Sequence, residues 1–196
     1  MSPGVHSEFA FEERVEYELL RRGWIRGPRA YDAELGLATA EMWEFVGKTQ
    51  VEKFEKLIEL HGGDQATAMR AFAIRVANEV DTRGVLDVLR HGVKDRGVLV
   101  DLCYFRPGHT LASDALKEYD ANVLSVERQL HFSARDAGQS VDLAFFVNGL
   151  PVASVELKNP MTGQDADDAV AQYRRRDPNE LYFARRTLVH FAMDPD

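Results

Sequence analysis

The stretch Ser140-Val-Asp-Leu-Ala-Phe-Phe-Val-Asn-Gly-Leu-Pro-Val-Ala-Ser-Val-Glu-Leu-Lys158 reads as two apolar strands around an Asn148-Gly149 turn. Leu143 to Val147 and Val152 to Val155 are nearly all hydrophobic, as in strands buried on both faces. Asp142 lies in the first strand, and Glu156 and Lys158 end the second, two residues apart and so on one side of it. Two carboxylates meeting on a sheet face can share a divalent ion such as Mg²⁺, which takes a few hard oxygen ligands and keeps waters. A lysine beside that ion can orient or deprotonate an attacking water, which together makes a hydrolase site for phosphodiesters. Asp followed by Glu-x-Lys is a permissive pattern, and the other reading is three solvated residues on a half-exposed strand. Charges leaving the end of a buried strand need partners, which weighs toward a site.

The register of this hairpin decides between the two readings. A two-residue Asn148-Gly149 loop would pair Val147 with Leu150 and set Asp142 opposite Val155, with the carboxylates on opposite faces. A shared ion needs an odd loop such as Asn148 to Leu150, or a bulge or strand divergence with the same effect.

Working outward, Asn122 to Phe132 and Val98 to Phe105 read as further strands, the latter stopped by Pro107-Gly108, and Thr187 to Met193 as a last one. Asn159-Pro160 breaks the chain after the hairpin. Asp165 to Arg176 reads as an amphipathic helix with Ala166, Ala169, Val170 and Tyr173 on one side. Upstream, Ser7 to Arg22 reads as a first helix, capped by Ser7, striped by Phe11, Val15 and Leu19, and ended by Gly23. Three helical stretches follow. Asp32 caps one with Leu35, Met42, Phe45 and Val46; Gln50 to Leu60 presents Phe54, Leu57 and Ile58; Asp64 caps one with Met69, Phe72, Ala73, Val76 and Val80. The fold expected is α/β (α+β), a small mixed central sheet flanked by helices, as one domain over 1–196. Its core takes about 7–24 and 92–196, with a helical insertion at about 32–91.

With 196 residues, 45% hydrophobic and 29% charged, the chain can bury an ordinary core, which excludes a disordered tail or a fibre. Cys103 alone cannot form an internal disulfide, and neither a signal peptide nor an apolar run of membrane-span length is found. A cytoplasmic protein without membrane contact is expected. The net charge of −8 argues against a free-standing DNA binder, so any DNA site must be a local basic patch.

The stretch from Ser140 to Pro160 resembles the nuclease segment of type I restriction enzyme R subunits. Arg22-Gly-Trp24, Thr49-Gln50, Val88-Leu-Arg-His-Gly-Val-Lys94, Tyr104-Phe-Arg-Pro107, Arg128-Gln-Leu-His131 and Leu188-Val-His-Phe191 are similar to other pieces of the same family. The resemblance implies an N-terminal endonuclease domain of the PD-(D/E)xK, RecB-like type that cuts double-stranded DNA with Mg²⁺. Asp142 and Glu156 would bind the metal and Lys158 would assist the water; Val141 stands where the motif's proline would be. Such nucleases often carry a supporting Gln-x-x-x-Tyr helix. Here Gln172 matches, but Arg176 holds the tyrosine position and Tyr173 directly follows the glutamine. Gln172 and Arg176 share a helix face. Arg175 and Arg176 could hold a DNA phosphate, or the arginines could be a solvated turn complementing the helix dipole. The resemblance also implies methylation and specificity subunits as partners, and ATP only through motor domains that are not in this chain.

The first helix could lend a carboxylate, with Glu12 ahead of Glu8 and Glu16, although a solvated face is the simpler reading of five glutamates in eleven residues. Gly47-Lys-Thr49 resembles the end of a P-loop, but Met42 occupies the position of the required glycine, so no ATP hydrolysis is expected. The six histidines have no paired metal spacing, and His131 and His190 read as strand residues with structural partners. Two rivals stand beside a restriction endonuclease domain: a silent nuclease-fold module that docks partner subunits, and a stand-alone nuclease of the same type.

Overall fold

The computed structural model describes residues 3–28, 30–108, 113–158 and 166–194. Helix α1 (Pro3–Leu20) leads to a short strand β1 (Ile25–Arg26) and a hairpin of β2 (Tyr31–Asp32) and β3 (Leu37–Ala38). Helices α2 (Thr39–Thr49), α3 (Val51–Leu60), α4 (Gln65–Arg83) and α5 (Val85–His91) follow. A second hairpin, β4 (Val93–Asp95) and β5 (Val98–Val100), precedes α6 (Ser113–Asp120). The chain then forms β6 (Leu124–His131), β7 (Ser140–Val147), β8 (Leu150–Leu157), α7 (Ala166–Arg175), a π-type turn at Tyr182–Arg186 and β9 (Val189–Met193).

The expected mixed sheet is present, with strand order β1-β6-β7-β8-β9. The two outer pairs run parallel and the two inner pairs antiparallel. Helix α1 covers one face, packing Phe11, Val15 and Leu19 against Val126, Leu143, Val155 and Leu157. Ala38, Leu130, Phe132, Phe146 and Tyr182 form a separate cluster. The third core lies among α2–α5 and the β4-β5 hairpin, with Trp43, Phe45, Phe72 and Val76 buried beside Leu150 of β8.

Local chemistry accounts for three departures from the sequence reading. The first helix starts at Pro3 rather than at Ser7, consistent with the tolerance of proline in a first helical turn. Asp32 caps no helix: its Oδ1 accepts the N–H groups of Glu34 and Leu35, at 3.0 Å each, and so builds the β2-β3 turn. An aspartate bonding backbone two and three residues ahead serves either a cap or a turn. The strand expected over Val98 to Phe105 ends at Val100 and pairs with β4, outside the main sheet. Asp64 does cap α4, accepting from the Thr67 N–H at 2.7 Å.

The hairpin solves its register by a bulge. Asn148 and Gly149 have φ of 49° and 83°, as a type I′ turn requires, and Val147 pairs with Leu150. Phe146 pairs with Pro151, but Phe145 pairs with Ala153, so Val152 is an extra residue. Pro151 has no N–H to give the ladder, which suits it to a bulge. From there the register runs one residue on, to Leu143 opposite Val155, the last pair of the ladder; continuing the same count by one residue brings Asp142 level with Glu156. Gly149 is required twice over, because a Cβ there would sit 2.3 Å from the carbonyl oxygen of Ala38 as well as demanding a positive φ.

Candidate active site

Past the Leu143–Val155 pair, side chains take over from the strand ladder. The Asp142 carboxylate accepts the Leu157 N–H at 2.7 Å through Oδ2 and the Gln129 amide at 3.1 Å through Oδ1. Gln129 has φ of 51°, a left-handed conformation unusual for a side-chain-bearing residue in a strand. The same Gln129 nitrogen donates to Glu12 of α1 at 2.8 Å, and its oxygen accepts from Ser140 Oγ at 3.1 Å. One amide thus ties the first helix to Asp142. Glu12 and Glu16 are both buried, near Arg128, whose guanidinium also lies 4.5 Å from the Phe9 ring centre. Glu8 has a side chain outside the described residues.

Glu156 is completely buried. Its Oε2 accepts the Gln172 amide at 2.8 Å, and its Oε1 is ion-paired with Arg176, whose Nη2 also donates to the Ser140 carbonyl at 2.8 Å. Burial, and next the charge of Asp142, push its pKa up from 4.5 to about 7 against the pull of Arg176 and Lys158. Lys158 follows β8 directly, half-buried, with its N–H on the carbonyl of Met193 at 2.9 Å. The segment Asn159-Pro160 to Asp165, where a chain break was expected, lies outside the described residues.

Helix α7 supplies Gln172, and Arg176 comes just past its end. The helix is pinned to β8 by a Ser154 Oγ to Tyr173 hydroxyl bond of 2.9 Å. Arg176 lies over the rings of Phe132, Tyr173 and Phe183 at 5.0–5.8 Å, and the residue expected either to hold a phosphate or to belong to a solvated turn is paired with a carboxylate. Arg174 and Arg175 are exposed. A cleft of about 390 Å³ opens beside the pair, lined by Gly138, Gln139, Ser140, Gln172, Arg175 and Arg176 among others. Both strand histidines have structural partners: His131 Nδ1 lies 2.8 Å from the Ala137 carbonyl and His190 Nδ1 2.8 Å from Ser154 Oγ.

The hairpin's open end therefore brings together Asp142, Glu156, Gln172 and Arg176, with Lys158 next along the strand. Gln129 was not read as part of a site, although Arg128-Gln-Leu-His131 stood out in the sequence; Glu12, the first-helix carboxylate expected ahead of Glu8 and Glu16, reaches Asp142 through it. Among the described residues no group of three or more His, Cys, Asp and Glu side chains is placed to hold a metal. The carboxylate pair still fits Mg²⁺, which commonly takes one or two carboxylates and completes its shell with water.

A mixed five-stranded sheet flanked by helices, with paired carboxylates where two central strands part, is consistent with a nuclease-like α+β fold. Residues 108–193 match the family described as type I restriction enzyme R protein N terminus (HSDR_N). The resemblance read from the sequence is borne out over that stretch, which is similar to the N-terminal region of type I restriction R proteins. Comparison with curated proteins and with solved structures gives no significant match.

Proposed function

We propose that this chain is the Mg²⁺-dependent endonuclease domain of a type I restriction R subunit, hydrolysing phosphodiester bonds of double-stranded DNA. The observation that supports this best is the Val152 bulge, which turns an unfavourable two-residue hairpin into one that brings Asp142 level with Glu156. In this reading Asp142 and Glu156 hold the metal, Lys158 orients or deprotonates the attacking water, and Gln172 holds Glu156 in position. A bound Mg²⁺ would stabilise the charge that develops on the phosphate oxygens. Arg175 and Arg176 supply the local positive charge at the cleft that a chain of net charge −8 needs for a DNA contact. The partners are DNA and the methylation and specificity subunits of a restriction complex, in the cytoplasm. No helix among the described residues is long and apolar enough to cross a membrane.

The test is nicking of supercoiled plasmid by the purified chain with Mg²⁺ and with EDTA, and by Asp142→Ala. Slow cleavage that needs Mg²⁺ and Asp142, ignores ATP and has no sequence preference is expected. One observation favours the rival, a silent docking module: protein donors already occupy both oxygens of Glu156. That reading predicts no nicking under any of these conditions.

A further inference from the structure

The ion pair that favours the silent module has a different consequence if the metal reading holds, and the following rests on that reading. Arg176 brings a full positive charge to Glu156, the more deeply buried of the two carboxylates. A divalent ion shared by Asp142 and Glu156 needs the same oxygens and the same charge compensation. Two cations held so close to one carboxylate repel, and in a buried site that repulsion is weakly screened. The guanidinium is also incompletely used. Its Nη2 bonds Glu156 and Ser140, while its Nε is buried and has no hydrogen-bond partner among the described residues. A buried donor left unmade raises the free energy of the state that contains it. Arg176 itself lines the 390 Å³ cleft, with exposed Arg175 on the same wall and Asp177 as the one carboxylate there among the described residues. An arginine turned into that cleft meets a space suited to a phosphodiester, which its planar fork binds through two N–H groups.

We propose that Arg176 is an internal counter-cation that keeps Glu156 closed to divalent metal until a DNA phosphate draws the guanidinium into the neighbouring cleft. Metal and DNA then bind with positive coupling, and metal binds poorly to the chain alone. The arginine in the place of the expected tyrosine makes loading of the metal conditional on substrate. Because binding free energies are reciprocal, the factor by which DNA tightens metal is the factor by which metal tightens DNA.

The experiment is Mn²⁺ binding to the full chain without DNA, followed by electron paramagnetic resonance, in the wild type, Arg176→Met, Arg176→Lys and Asp142→Ala. Methionine keeps much of the stem that packs on the rings but no charge; lysine keeps the charge. Arg176→Met is expected to bind Mn²⁺ about tenfold more tightly than the wild type, within the usual range of coupling between sites. Arg176→Lys stays near the wild type, and Asp142→Ala loses the binding. Equal Asp142-dependent affinity in the wild type and Arg176→Met overturns the counter-cation role and leaves the nuclease reading standing. Absence of Asp142-dependent binding in every form overturns both. A wild-type measurement guards against a variant that folds poorly: the nitrogen-15 resonance of the Arg176 Nε–H group during a Mg²⁺ titration. It is expected to shift as the metal saturates. A resonance that stays fixed while the Asp142 backbone signal moves overturns the proposal.

Discussion

The two ends of the β7-β8 hairpin are built from the same kind of strand and treat their polar groups in opposite ways. At the turn, Asn148 is fully buried and its side chain is fully used. Its Nδ2 donates to the Leu102 carbonyl at 2.9 Å and to Asn122 at 2.8 Å, and its Oδ1 accepts the Val123 N–H at 2.6 Å. Gly149 closes the turn with its carbonyl on the Ala38 N–H at 2.8 Å. Six residues along β7, roughly 20 Å at about 3.4 Å per residue, the open end sets the Asp142 charge against Glu156, which is paired with one arginine. There the buried Nε of Arg176 is unsatisfied among the described residues, and Glu156 is pushed toward neutrality. The turn end is optimised for the folded state alone. The open end carries electrostatic cost that folding does not explain, which is the usual condition of a functional site.

Substitutions should separate the two ends. The largest effect is expected from Asp142→Ala. On the proposed reading, the substitution removes a metal ligand and with it on the order of several kcal/mol of transition-state stabilisation, so Mg²⁺-dependent nicking should vanish. Relief of the Asp142–Glu156 repulsion should leave the melting temperature unchanged or higher. A large fall in melting temperature would remove the contrast. Gly149→Ala should do the reverse. The positive φ and the contact with Ala38 O predict a loss of about 3 kcal/mol in stability, read by urea denaturation.

The Glu156 carboxyl gives a smaller, pH-dependent contrast. Its folded pKa of about 7 lies above the 4.5 of an unperturbed glutamate. Between those values the folded chain holds a proton that the unfolded chain releases, so this group's contribution to stability falls as pH rises from 4.5 to 7 and is level above. Melting curves across that window should show Glu156→Gln gaining on the wild type by roughly 10 °C as pH rises; parallel curves would show that Arg176 already balances the charge. The smallest effect is expected from Gln172→Ala, which leaves Glu156 its ion pair. Cleavage should drop by about tenfold, equivalent to one hydrogen bond to a charged group, and a loss as complete as that of Asp142→Ala would give Gln172 a direct part in the chemistry.

The long sheet strands, the turn and most helices were legible because each rests on a local pattern: the apolar runs beside Asn148-Gly149, the capping Asp64, the stripe Phe11, Val15, Leu19; the short strands β1 to β4 carry no such pattern. The bulge was open in the sequence as one of several routes to the same register, since an extra residue shows only when a strand is counted against its partner. Pro151 was the available signal, a residue that cannot serve a continuous ladder. Asp32 was misread because one side-chain geometry serves caps and turns alike. Helix α6 was not read at all: Ser113–Asp120 has few apolar residues to mark a face. Among the first-helix glutamates only the position of Arg128 and Gln129 on β6 distinguishes Glu12 from its neighbours, and that is a tertiary fact.

The single extra residue at Val152 also sets a parity rule for this hairpin. Removing one residue on the turn side of Asp142 and Glu156 without restoring the count would swap inward and outward side chains along half the hairpin, exchanging apolar for charged positions in a single step. Paired changes, one residue out of β8 and one into the loop, would preserve it. Length variation in this segment should therefore be tolerated only in compensating pairs, and the hairpin behaves as a reading frame written in three dimensions.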